Sequence, residues 1–177
     1  MADQYIPSDG AKSAVTFTIK VGSGGTLEAL PTTYDVMSVV VGREVNRIPW
    51  AKIEVVDGSA AQQDFPISNG DDLVPGQEIE ILVGYSSQEK TIFKGLIVKH
   101  GIKTKSGKGA RLSLECRDMA VKMTIGRKTA YHLDIKDSDL ISEMIGEYSD
   151  LSKDIADTKP EHKSLVQYYT SDWDFLV

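Results

Sequence analysis

From Val15 onward, apolar and polar residues alternate. Val15, Phe17 and Ile19 stand against Thr16, Thr18 and Lys20, the period of two that a half-buried strand requires. Gly22-Ser23-Gly24-Gly25 then breaks the chain as a β-turn. Residues 36–41 are dense in β-branched side chains and predict a strand covered on both faces. Ala51, Ile53 and Val55 alternate with Lys52 and Glu54, and Asp57-Gly58 ends that run with turn chemistry. Residues 58–76 read as loop, punctuated by Asn69-Gly70-Asp71-Asp72 and Pro75-Gly76.

Ile79, Ile81, Val83 and Tyr85 then share a strand face opposite Glu78, Glu80 and Leu82. After a turn at Ser86-Ser87 come two longer runs. One holds Ile92, Phe93, Leu96, Val98 and Ile102. The other sets Ala110, Leu112, Leu114 and Cys116 against Arg111, Ser113, Glu115 and Arg117. Ser106-Gly107-Lys108-Gly109 between them suits a hairpin turn. Six or seven strands are thus expected by residue 117 with no helix among them. So many antiparallel strands close into a barrel or stack as a sandwich, because an open sheet leaves edges unpaired.

Beyond residue 117 the period changes. Leu140, Ile141, Met144, Ile145 and Tyr148 fall on one helical face after Asp137-Ser138-Asp139. Asp137 is the expected N-cap, and Asp139 in the first turn favours the helix dipole. Residues 149–163 are polar, with Pro160 interrupting any helix. Leu165-Val166-Gln167-Tyr168-Tyr169 reads as a short strand. Ser171 with Asp174 three residues later resembles a capping box. A helix is expected there, with Trp173, Leu176 and Val177 on one face. The chain stops barely two turns into that helix, which predicts that it is a fragment of a longer protein. The fold class expected is mainly β (β+α): an antiparallel β-barrel of six to seven strands followed by a short helical connecting segment.

Composition narrows the function more than the fold. The chain has 177 residues, a net charge of −6 and 26% charged residues, ordinary for a globular domain. The start at Met1-Ala2-Asp3-Gln4-Tyr5 is acidic and polar and lacks the features of a signal peptide. The single cysteine, Cys116, precludes an internal disulfide framework. No apolar run approaches membrane-spanning length. Lys103, Lys105, Lys108 and Arg111 cluster about a glycine-rich hairpin tip, too narrow a footprint for nucleic acid.

Candidate chemistry is sparse. His100, His132 and His162 lie at no metal-ligand spacing, and Cys116 has no Cys or His close in sequence. Asp134, Asp137 and Asp139 are the densest carboxylate set, yet a calcium loop needs more oxygen ligands and a glycine at its sharp turn. Gly22-Ser23-Gly24-Gly25-Thr26 lacks the lysine of a phosphate loop. Cys116 follows the buried alternation of Leu112 and Leu114 and is expected to be an inert thiol. No acid, base and nucleophile converge, so no catalytic, cofactor or metal residue is assigned.

Several blocks do carry a resemblance. They are Asn46-Arg47-Ile48-Pro49-Trp50-Ala51 leading into residues 53–58, Pro75-Gly76-Gln77-Glu78-Ile79-Glu80-Ile81 with Gly84-Tyr85, Phe93-Lys94-Gly95-Leu96-Ile97, residues 116–124 with Arg127-Lys128, Asp137-Ser138-Asp139-Leu140-Ile141, and residues 166–168 with 171–176. In this order they resemble VgrG-type spike-tip (hub) proteins of type VI secretion, related to the baseplate hub of contractile-tailed phages. The resemblance implies a non-catalytic homotrimeric hub that joins a hexameric tube protein to a puncturing spike. It also implies contact with baseplate components and with effector or tip-cap proteins, assembly in the cytoplasm, and expulsion by the machine. The domain division it implies is a flexible lead-in at 1–13, a first hub barrel at 14–130, a helix and polar connector at 131–164, and the start of a truncated second barrel at 165–177. Trp173, Phe175 and Leu176 form the expected exposed docking patch. The alternatives are the hub of an extracellular injection particle or phage tail, and a β-barrel module binding peptide or glycan.

Overall fold

A computed structural model describes residues 15–58, 64–85, 88–105 and 109–177. The lead-in at 1–13, the turn at Ser86-Ser87 and the Ser106-Gly107-Lys108 part of the hairpin lie outside the described residues. The alternating runs form strands β1 (Val15–Ser23), β2 (Thr26–Ala29), β3 (Val36–Gly42), β4 (Trp50–Asp57), β5 (Glu78–Tyr85), β6 (Gln88–Lys105) and β7 (Gly109–Asp118). All pair antiparallel in the order β2-β1-β5-β6-β7-β4-β3. The fold is mainly β and antiparallel, as the alternation predicts.

The core follows from register. Ile19 faces Ile81 and Val21 faces Ile79 across β1 and β5. Ile53 faces Leu114, Val55 faces Leu112 and Ala51 faces Cys116 across β4 and β7. These residues, with Phe93, Ile97 and Leu73, form one buried cluster. The sheet therefore rolls so that its two halves share an interior. The hinge is β6, whose first part pairs with β5 and whose second part pairs with β7. Its register shifts between Ile97 and Lys99, as a bulge that bends a strand does. At the crossover, Gly95 admits no side chain, since a Cβ there would lie 2.0 Å from the Arg117 carbonyl oxygen. Each large aliphatic side chain buried here contributes about 1.5–3 kcal/mol.

Two expectations change. β3 is an outer strand of the sheet, with Met37 and Val40 about half exposed. A run of β-branched residues reads as covered on both faces, but composition carries no information on lateral position. Loop residues 64–76 are also more anchored than their polarity suggests. Leu73 is fully buried, and Asp57, itself buried, accepts from the backbone N–H of Gly58 (2.8 Å), Ile67 (3.1 Å) and Ser68 (2.8 Å) and from the Ser68 hydroxyl. Burial disfavours the ionised carboxylate, yet these four donors outweigh it and hold its pKa below the ordinary value.

After a 3-10 helix at Met119–Thr124 the chain builds a second, smaller unit. Strand β8 (Lys128–Lys136) pairs antiparallel with β9 (Glu161–Thr170), flanked by helices α1 (Asp137–Gly146) and α2 (Asp172–Leu176). β8 is absent from the sequence reading. Its alternation is broken at Asp134, which takes φ +46°, and β9 is broken likewise at Tyr169, φ +46°. β9 begins at Glu161, earlier than the short strand expected at residues 165–169.

Candidate docking surface

The chain turns out of β9 into α2 at Ser171, as the spacing to Asp174 predicts. The Ser171 hydroxyl accepts from the Asp174 N–H at 3.2 Å and donates to the Asp174 carboxylate at 2.6 Å. The carboxylate thus accepts from the hydroxyl rather than from the backbone N–H of Ser171, a variant of the reciprocal box. The next residue, Asp172, is 2% exposed. It accepts from Lys128 Nζ at 2.7 Å, Tyr148 OH at 2.5 Å and Gln167 Nε2 at 2.9 Å. Those donors come from β8, the segment after α1, and β9, so one carboxylate ties α2 to every neighbour it has in this unit.

The electrostatics follow. Burial alone favours the neutral acid, but Lys128, Tyr148 and Gln167 overcome it and hold Asp172 below its usual pKa. Burial and the donated bond to Asp172 push the Tyr148 phenol up to about 12. Bonds to Asp172 and Glu147 hold the Lys128 ammonium above its usual range. The set is locked as a cation, an anion and a neutral phenol near neutral pH. It fixes a helix; none of its members is poised to exchange a proton.

Above this anchor, Trp173, Phe175 and Leu176 are each partly buried, neither core nor free surface. Phe175 stacks on His132 with ring centroids 5.9 Å apart. The opposite face of the β8–β9 ribbon is far more open. Tyr131 pairs with Val166 across the ladder, and Leu133 and Tyr168 extend the same face. Tyr131, Leu133 and Tyr168 are 73%, 67% and 79% exposed, an apolar surface beyond the scattered single residues normal for a monomer. Tyr169 is exposed beside them, with the Arg127 guanidinium 5.3 Å from its ring centre. Along the sequence the aromatics are spread out; pairing of β8 with β9 gathers these tyrosines. The Tyr168-Tyr169 doublet was their one visible signal, and Tyr131 had none without β8.

The remaining candidates disperse. Asp134 bonds Lys163 at 3.1 Å, Asp137 approaches His162 at 3.0 Å, and Asp139 is exposed on its own. Asp137 is also not the cap of α1. Lys136 holds that position, and the Ser138 N–H is met instead by Thr158 Oγ1 at 3.0 Å from the connector. His132 and His162 are half-buried, and His100 Nδ1 lies 3.3 Å from the Leu73 carbonyl. Lys103 and Arg111 both pair with Glu54, at 3.5 and 3.6 Å, so two cations of the hairpin cluster share one carboxylate. Burial pushes the Cys116 thiol up to about 12. Burial and a bond to Asp72 push the Tyr34 phenol likewise up to about 12. Among the described residues no three His, Cys, Asp or Glu side chains are grouped to hold a metal ion, and no helix is long and apolar enough to cross a membrane.

A rolled antiparallel sheet followed by a ribbon-and-helix unit is an arrangement shared with known tail proteins. The 43 kDa tail protein of prophage MuSo2 from Shewanella oneidensis aligns over 90% of this chain and 45% of its own, with TM-score 0.55 and 8% identity. A chain of the lidded PdpA–VgrG complex of Francisella aligns over 88% of this chain and 23% of its own, with TM-score 0.50 and 16% identity. An E. coli component of the type VI secretion system aligns over 94% of this chain and 40% of its own, with TM-score 0.49 and 12% identity. The chain spans less than half the length of each. No curated protein matches it in sequence. The fold is thus like that of the prophage tail protein. Residues 11–177 match the family model described as the Alg8 N-terminal domain, and the chain belongs to that family.

Proposed function

We propose that this chain is a structural module of a contractile injection machine: the N-terminal part of a VgrG-type trimeric hub that joins the tube to the puncturing spike. The observation that carries the reading is the shared fold with the Shewanella prophage tail protein. The ordered series of VgrG-like blocks over nearly the whole chain agrees with it. In this reading residues 14–130 are the first hub barrel, 131–164 the connector and 165–177 the opening of a second β module. Its partners are two further copies of itself, the hexameric tube protein, baseplate components and an effector or tip cap. The hub assembles in the cytoplasm and leaves the cell with the spike. Its work is binding, with no bond made or broken, so apolar patches supply the energy and charged rims set register.

The β8–β9 face and the half-buried Trp173, Phe175 and Leu176 are the surfaces offered for that docking. The prophage likeness also favours a close variant, the hub of a phage-like tail or extracellular injection particle. A peptide- or glycan-binding module would need an aromatic-lined concavity; Tyr131, Tyr168 and Tyr169 lie instead on an open ribbon. Mass measurement and electron microscopy of the full-length protein test the reading. A stable trimer bearing a needle and binding tube protein is expected. A full-length monomer indifferent to tube protein would sink it.

A further inference from the structure

The order of strands has two ends, and they meet at a seam. β2 pairs with β1 only from Lys20 to Ser23. The Ile19 carbonyl on that edge accepts from the Leu30 N–H at 2.8 Å. Backbone groups two residues apart in a strand point to the same edge, so those of Val15 and Phe17 lie on it too. Among the described residues nothing pairs with them. β3, at the other end of the order, pairs among the described residues only with β4. β1 and β3 do not run at ladder distance from one another. Between them lies a groove of about 330 Å³ walled by Phe17 and Ile19 on one side, Val36 on the other, and Leu30, Pro31 and Tyr34 at the crossing loop.

Charge sets this groove apart. None of its lining residues is ionisable at neutral pH, whereas the neighbouring groove is lined by Glu28, Asp71 and Asp72. β3 itself carries no charge and no proline, although outer strands are ordinarily guarded by one or the other. Phe17 is 49% and Val15 60% exposed, while Ile19 and Val21 on the same strand face are core.

We propose that this seam is a docking groove for an extended, uncharged strand supplied by another polypeptide, which adds to the free edge of β1. The two requirements come from separate observations. Unpaired N–H and C=O groups at Val15 and Phe17 ask for main chain in extended form, and a compact apolar ligand would leave them unmet. The uncharged lining excludes ionised side chains on the inserted face, because a charge desolvated there finds no partner. The inference does not depend on the hub reading.

Cysteine labelling tests it. The native Cys116 is fully buried with its thiol pushed up to about 12, so it stays silent toward maleimide. Thiols are introduced singly as Phe17→Cys and Val15→Cys, two variants so that one misfolding does not end the test. Val45→Cys, at a position 91% exposed outside the groove, is the control. A short alternating Val-Thr peptide is expected to abolish labelling at 15 and 17 and leave 45 unaffected, while an alternating Lys-Glu peptide protects neither. No protection by the Val-Thr peptide, or equal protection by both, overturns the proposal. So does labelling that is blocked in the free chain and restored by deleting residues 1–14, which makes the occupant the chain's own N-terminus. Protection that grows with chain concentration alone makes it a second copy, and overturns it as well.

Discussion

Single residues decide most of what can be measured first. Asp57 and Asp172 are both buried, both held below the ordinary carboxylate pKa of 3.8, and both ionised when folded. A depressed folded pKa stabilises the protein above the unfolded value, and that contribution is lost as pH falls through the folded one. Denaturant unfolding followed against pH is therefore expected to show their contribution intact near neutrality and falling below about pH 4. Asp172→Ala strips the acceptor from Gln167, Tyr148 and Lys128. It should cost about 1–3 kcal/mol, read from the urea midpoint, with part of the loss discounted because Lys128 is half exposed. The legibility of these residues differs. Asp57 was visible as the first residue of a turn, but two of its three backbone donors, Ile67 and Ser68, come from across a loop. Asp172 was visible only as a neighbour of the Ser171 cap, because the residues that bury it lie 5, 24 and 44 positions away. Cys116 was legible outright, from the alternation it shares with Leu112 and Leu114.

Elements were read well where one period ran unbroken. β1, β4, β5 and β7 fall where the alternation put them, and α2 begins at the predicted cap. Ser171→Ala should cost about 1 kcal/mol and loosen α2 selectively, as faster amide exchange at residues 173–176. Where the backbone departs from one period, reading failed. β8, with a positive φ at Asp134, went unread, and β9 was read only as the short strand at residues 165–169. α1 was placed, but Lys136 at its cap position makes no side-chain cap bond, and the Ser138 N–H is met by Thr158, twenty residues downstream, beyond any local motif. The crossover at Gly95 yields a sharper prediction. Gly95→Ala drives a Cβ against the Arg117 carbonyl, which is main chain and cannot swing aside. The β6–β7 ladder must shift, and the expected loss of about 1–3 kcal/mol in thermal or urea unfolding is far larger than the conformational gain from removing a glycine.

At the scale of the whole molecule, the rolled sheet supplies stability and the ribbon supplies surface. Their separation makes the docking reading testable. Replacing Tyr131 and Tyr168 together with serine removes exposed apolar area and leaves the buried cluster untouched. Stability is expected to change by less than about 1 kcal/mol, while incorporation of the full-length protein into trimers falls, as read by mass photometry. A large loss of stability with unchanged assembly would assign those tyrosines to folding instead. What the sequence determined alone follows from local physics. Alternation declares a strand and its buried face, and Ser171 and Asp174 declare a helix start. Tertiary structure alone decided the lateral order of strands, the edge position of β3 and the pairing that brings Tyr131 beside Val166 and Tyr168. The physical reason is one of range. A strand's face is set by its own side chains, but its neighbours, its free edge and the surface it helps to build depend on residues far along the chain.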